Sequence, residues 1–229
     1  MEKREALLCA EVAQATYGKQ ANVEGFQLNA RFENKGTDTQ GMFGVAHGDT
    51  LVVAFRGSEE TGVADWITDL KFVQQVFPYG EGGNKKVKVH YGFIQAYKSV
   101  RDAVLNEARN TPYKKVICTG HSLGAALATL AALDIKYNFP DKKVRCYTFG
   151  SPKVGNKYFV ESYNKRIPET YRFVNGSDTV PNIPPGSYRH VGKERPVGDT
   201  KKKDWKAIAS RVIQDHFPYN YVEALKKNV

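Results

Sequence analysis

Cysteine is scarce in this chain, with three among 229 residues, at positions 9, 118 and 146. An odd count without C-x-x-C spacing supplies neither a disulfide framework nor a structural zinc site. Cys118 and Cys146 sit in apolar runs, where a thiol behaves as a small buried hydrophobe. Long apolar runs are missing as well. No window nears the roughly 18 uninterrupted apolar residues that a spanning helix requires, and the mean hydropathy is -0.50. Repeats, low-complexity tracts and Pro/Gly/Ser linkers are also lacking, so a single domain over residues 1–229 is expected. The opening segment MEKREALLCAEVAQATYG mixes charge into its apolar positions and reads as an amphipathic surface helix rather than a signal peptide. Together with the free thiols this favours the cytoplasm; secretion is the alternative if a leader has been removed.

Negative charge is in short supply, since 24 acidic residues face 34 Lys and Arg, a formal net charge of +10. The lysines are dispersed through loops such as GGNKKVKVH and DTKKKDWK without a recognition-helix or zinc-finger pattern, which argues against nucleic acid. A solvated basic surface is the plain reading, and an anionic lipid interface the functional one.

What is present is an alternation. Residues 1 to about Tyr17 have helical spacing, two or three strands end with TLVVAFRG, and Ser58 to Val89 is polar and irregular. GFIQAYKSVRDAVLNEARN predicts one amphipathic helix. KKVICT, KKVRCYTFG and TYRFVNG are strand-like, separated by the helical runs LGAALATLAALDIKY and NKYFVESYNKR. PNIPPGSYRHVGKE reads as a loop or short hairpin, and a last helix starts near Asn220. Strands separated by helices of this length predict an α/β fold with a mostly parallel central sheet flanked by helices.

Gly120-His121-Ser122-Leu123-Gly124 fits G-x-S-x-G between a strand and a helix, the context in which the pattern has a mechanism. The turn forces the serine into a strained backbone and leaves no room for side chains on either flank, while the helix N-terminus favours negative charge. A bland reading makes Ser122 a simple helix cap. A nucleophilic serine needs a base and an orienting acid. Asp134 falls late in the following helix, and Asp141 lies at the opposite end of the sheet. Asp178, directly after TYRFV, shares the edge of Ser122. Its bland reading is an Asx turn. Among the later aspartates Asp199, Asp204 and Asp215, the last is adjacent in sequence to a histidine and would point away from it. His216 is preferred over His190 as base, and His47, His90 and His121 are read as structural.

These segments resemble the class 3 lipases, the family of fungal triacylglycerol lipases and feruloyl esterases. The matching stretches are VVAFRGS (52–58), DWITDLKF (65–72), VHYGF (89–93), TGHSLGAALATLAA (119–132), TFGSPKVGN (148–156), NGSDTVPNIP (175–184) and DHFPYNY (215–221). The resemblance implies an α/β-hydrolase-like core with a short lid segment, no cofactor or metal, and hydrolysis of lipid or acyl esters by Ser122, Asp178 and His216. It places an oxyanion hole at the backbone N–H groups of Ser58 and Leu123, with Asp69 supporting the Ser58 hydroxyl. Val63, Trp66 and Ile67, at i, i+3 and i+4, would form the apolar stripe of the lid; the bland reading is a packed surface turn. Tyr17, Phe93, Val154, Val180 and Ile183 match apolar pocket positions, each of which also reads as core. The competing expectations are a non-catalytic lipase-like interaction module and a feruloyl-type or short-chain esterase without interfacial activation. Acyl preference and oligomeric state are not encoded in these spacings.

Overall fold

The structure, a computed structural model, describes residues 2–58, 73–77, 85–199 and 214–227. In chain order its elements are α1 (Glu2–Ala15), β1 (Phe26–Asn34), β2 (Thr39–Ala46), β3 (Thr50–Phe55), β4 (Gln74–Val76) and β5 (Lys88–His90). Then come α2 (Tyr91–Lys98), α3 (Arg101–Asn110), β6 (Lys115–His121), α4 (Leu123–Asn138), β7 (Lys143–Phe149) and β8 (Gly155–Asn156). The chain ends with α5 (Lys157–Arg166), β9 (Thr170–Asn175), a 3-10 turn (Val180–Asn182), β10 (Tyr188–Arg189), β11 (Lys193–Val197) and α6 (Pro218–Lys226).

The central sheet runs β1-β2-β3-β6-β7-β9-β11. β1, β2 and β3 form an antiparallel meander, and β3, β6, β7, β9 and β11 are parallel. Side-chain alternation explains why the central parallel strands β3, β6 and β7 are largely apolar. Leu51, Val53, Phe55, Val116, Cys118 and Cys146 pack with α4 on one face. Val52, Ala54, Ile117, Tyr147 and Phe149 pack with α1 and α6 on the other. A strand covered on both faces has no polar side to present, and each fully buried Val or Leu contributes about 1.5–3 kcal/mol. A small sheet, β10-β8-β5-β4, lies beside this layer.

Three expectations are revised. The helix expected over 92–110 is two helices. Asn34 Nδ2 donates to the Ser99 carbonyl and the Ser99 hydroxyl bonds Thr37 Oγ1 and the Ala96 carbonyl, so the turn at Ser99–Val100 belongs to the β1–β2 hairpin as much as to the helix. The segment after Pro181 is not a hairpin, because β10 joins the small sheet while β11 closes the central sheet, paired with β9. Helix α1 is a core element rather than a surface one. Ala6, Cys9, Ala10, Val12 and Ala13 are buried, and its buried Glu5 accepts from Tyr147 Oη at 2.6 Å and pairs with Arg145 at 2.6 Å. All three cysteines are buried and free. Among the described residues, no helix is long and apolar enough to cross a membrane.

Candidate active site

β6 ends at His121 and α4 begins at Leu123, which leaves Ser122 alone at the junction with φ 56° and ψ -125°. A non-glycine residue in that region costs about 1–3 kcal/mol, held by its surroundings. The flanks explain the strain. A Cβ on Gly120 would collide with the Gly124 backbone, and one on Gly124 with the Phe55 carbonyl. Only two missing side chains let strand, turn and helix approach this closely. The Ser122 N–H donates to the Phe149 carbonyl at 3.0 Å, tying the turn to the end of β7.

β9 ends at Asn175 on the same carboxyl edge, and the Asp178 N–H turns back onto the Asn175 carbonyl at 2.9 Å. His216 lies just ahead of α6. Its Nδ1–H donates to Asp178 Oδ2 at 2.8 Å, and its Nε2 accepts from the Ser122 hydroxyl at 2.9 Å. The three side chains are thus in line, and all are buried. Gly150 makes room for them: a Cβ there would lie 2.9 Å from both Asp178 Oδ2 and the His216 ring. The Asp178 carboxylate also accepts from the Val180 N–H at 2.9 Å and from Tyr221 Oη at 2.5 Å. Burial, reinforced by the Asp178 charge, holds the Tyr221 hydroxyl well above the usual phenol range, so it stays a donor.

The remaining sequence candidates fall in several places. A side chain on Gly57 would meet the Ser122 Cβ, so the chain leading into half-buried Ser58 passes beside Ser122, and half-buried Leu123 follows Ser122 at the start of α4. Phe93 and Val154 belong to the buried core, with the Phe93 ring 4.3 Å from that of His90. Val180 is buried and its N–H donates to Asp178 Oδ1, and Ile183 is half-buried with its carbonyl accepting from the Lys153 N–H. Tyr17 does not simply line an apolar wall, since its hydroxyl bonds His121 Nδ1 at 2.8 Å. Val63, Trp66, Ile67 and Asp69 lie outside the described residues. Of the alternatives, His190 is held by the Pro181 carbonyl at 2.6 Å, Asp134 by Arg101 and Tyr97, and Asp215 by the Ser177 N–H. Sequence reasoning passed over Tyr221, which stands inside DHFPYNY, and the contact of His121 with the His216 carbonyl.

Comparison with known proteins follows the same outline. The model of the family described as "Lipase (class 3)" matches residues 52–188. The chain is 36% identical over 174 residues to a lipase of Rhizomucor miehei, covering 71% of this chain and 46% of that one. It is 30% identical over 251 aligned positions to phospholipase A1-IIgamma of Arabidopsis thaliana, covering 96% and 57%. The chain spans about half the length of the curated relatives it matches. Among solved structures, Rhizomucor miehei triacylglyceride lipase superposes with a TM-score of 0.75 at 30% identity, covering 86% of this chain and 81% of that one. A triacylglycerol lipase whose catalytic centre is formed by a serine protease triad gives 0.76 at 27% identity, covering 93% and 92%.

Proposed function

Because the chain belongs to the class 3 lipase family, we propose that it hydrolyses carboxylic esters of lipids through an acyl-enzyme on Ser122. The observation that carries this reading is the continuous pair of contacts from Ser122 Oγ to His216 Nε2, 2.9 Å, and from His216 Nδ1 to Asp178 Oδ2, 2.8 Å. In the proposed reaction His216 takes the hydroxyl proton as Ser122 Oγ attacks the ester carbonyl. Asp178 keeps Nδ1 protonated, so that Nε2 has the free lone pair, and its charge balances the imidazolium that forms. The backbone N–H groups of Ser58 and Leu123 are the proposed donors to the tetrahedral oxyanion, each such donor being worth about 10²–10³ in turnover. Collapse expels the alcohol, which leaves with the proton from His216, and water cleaves the acyl-enzyme by the same relay.

Relatives named as mono- and diacylglycerol lipases and as a phospholipase A1 support acylglycerol and phospholipid esters as the substrate class. The proposed working surface is an anionic lipid interface, supported by the net charge of +10 and by the exposed Lys85, Lys86, Lys88 and Lys157 beside the small sheet. Several relatives are named as secreted, which lends weight to secretion and none to the cytoplasmic preference. We read the chain as one hydrolase domain, because both faces of a single sheet supply its core.

A panel of p-nitrophenyl esters from short to long acyl chains, followed by diacylglycerol and phospholipid, tests the proposal on wild type and Ser122→Ala. Wild type is expected to turn over esters and to be labelled stoichiometrically by a fluorophosphonate. Ser122→Ala should lose about 10⁵–10⁶ in kcat. Undiminished turnover in Ser122→Ala removes this mechanism, and a wild type that neither turns over nor labels leaves the non-catalytic module. A rate jump above the micelle-forming concentration supports the lid expectation for Val63, Trp66 and Ile67; a smooth profile counts against it.

A further inference from the structure

We infer that His121, the residue preceding the nucleophile, is a positioning residue for the general base His216, and that Tyr17 reinforces the tautomer in which it does so by donating to the other ring nitrogen. This rests on the esterase reading above but assigns a role to groups that the relay itself does not use.

The geometry determines where the protons are. His121 Nε2 lies 2.5 Å from the main-chain oxygen of His216. A carbonyl oxygen only accepts, so Nε2 carries the hydrogen. In a neutral imidazole the other nitrogen is then a bare acceptor, and Nδ1 sits 2.8 Å from Tyr17 Oη, which donates to it. Burial and the neighbouring His216 ring hold His121 well below the ordinary histidine range, consistent with a neutral ring. The ring centroids of His121 and His216 are 4.6 Å apart at 39°. A protonated His121 would oppose the charge that His216 acquires during acylation.

The contacts close a small ring. Ser122 is joined covalently to His121, His121 Nε2 holds the carbonyl of His216, and His216 Nε2 returns to Ser122 Oγ. The nucleophile and the main chain bearing its base are thereby fixed to each other, rather than separately to the sheet. Tyr17 lies in the turn just after α1, so the first helix contributes to the register of a relay whose members come much later in the chain. A misplacement near 1 Å is enough to cost about 10² in rate.

The test uses His121→Phe, His121→Gln and Tyr17→Phe, with p-nitrophenyl butyrate kinetics, fluorophosphonate labelling rates and thermal unfolding for each. His121→Phe, which removes the donor, should lower kcat and the labelling rate about 10–100-fold with KM within about twofold. His121→Gln keeps an N–H where Nε2 stood and should recover most of that loss. Tyr17→Phe should lose about 3–10-fold in kcat, the scale of one neutral hydrogen bond. Its imidazole ¹⁵N spectrum should show the bare His121 Nδ1 resonance moved toward that of an unbonded nitrogen, where wild type shows the Nε2–H form with Nδ1 hydrogen-bonded. Equal kcat in all three variants, or a loss in His121→Gln as large as in His121→Phe, would overturn the proposal. A wild-type spectrum with the proton on Nδ1 would do the same. If His121→Phe does not fold, the other two variants and the wild-type spectrum decide. Wild type inert to both substrate and probe would instead sink the esterase reading, leaving the tautomer measurement to stand separately.

Discussion

At the scale of single residues, the convergence of Ser122, Asp178 and His216 was legible because two of them follow from where a strand ends and the third precedes the last helix. β6 delivers the serine, β9 the aspartate and the segment before α6 the histidine, all to one edge. The glycines at 120 and 124 advertised the tight turn, and the backbone of Gly124 and Phe55 packs so closely that both are required. Tyr221 was not legible. It sits in the first turns of α6, where an aromatic reads as core packing, and only the folded chain brings its hydroxyl to Asp178. Its bond to a buried carboxylate is of the charged class, worth about 1.5–3 kcal/mol. Tyr221→Phe is therefore expected to lower unfolding free energy by about that amount. It should also reduce kcat/KM about 5–50-fold, since an Asp178 short of one donor orients His216 less firmly. Urea unfolding and ester kinetics measure both. A variant that matches wild type in each would show that the short contact carries no energy.

At the scale of elements, periodicity located the parallel half of the molecule closely. βαβ alternation from residue 114 leaves little freedom once the central strands are apolar on both sides. It failed where tertiary contacts outweigh local pattern. The pause at Ser99 is imposed by Asn34 and Thr37, more than 60 residues earlier in the chain, and nothing within 92–110 signals it. β11 was missed because KERPV is short, charged and contains a proline, all permitted on an edge strand with a single neighbour. The burial of α1 was concealed by its charges, one of which is spent inside. Glu5 is buried against the Tyr147 hydroxyl and the Arg145 guanidinium, pinning the first helix to β7. Glu5→Ala should strand both partners and cost about 2–3 kcal/mol, discounted from the fully buried case because Arg145 is partly exposed. Glu5→Gln, which still accepts from Tyr147, should cost less. Chemical denaturation of the two variants orders them, and Glu5→Ala as stable as wild type would mean that α1 is held by its apolar face alone.

At the scale of the whole molecule, the fold class and the edge bearing the site were readable, whereas the acyl pocket was not. Tyr17, Phe93, Val154 and the pair Val180 and Ile183 come from four separate segments, and whether such residues line a groove or fill a core depends on distances that spacing does not contain. The same holds for the pH response of stability, which depends on which histidines the fold encloses. Burial, aided by the charge of Arg172, lowers His190 to about 3, and burial also keeps His121 well below 6.5. In the unfolded chain both titrate near 6.5. Between that value and the depressed folded values the unfolded state binds more protons, so stability is complete above about pH 6.5 and falls as the pH is lowered. Asp49 is also shifted downward, by its bond to Lys115, but its window opens only below the carboxylate value of 3.8. From pH 6 to 4.5 the two histidines are thus the groups among these whose linkage acts, each giving at most one proton of slope, about 1.4 kcal/mol per pH unit. His190→Gln, whose amide can still donate to the Pro181 carbonyl, should reduce the proton uptake on unfolding by about one across this interval while changing stability little at pH 7.5. Urea unfolding at half-unit steps of pH gives the uptake directly. A slope unchanged by the substitution would mean that His190 is protonated in the native protein, and that burial beside Arg172 does not keep it neutral.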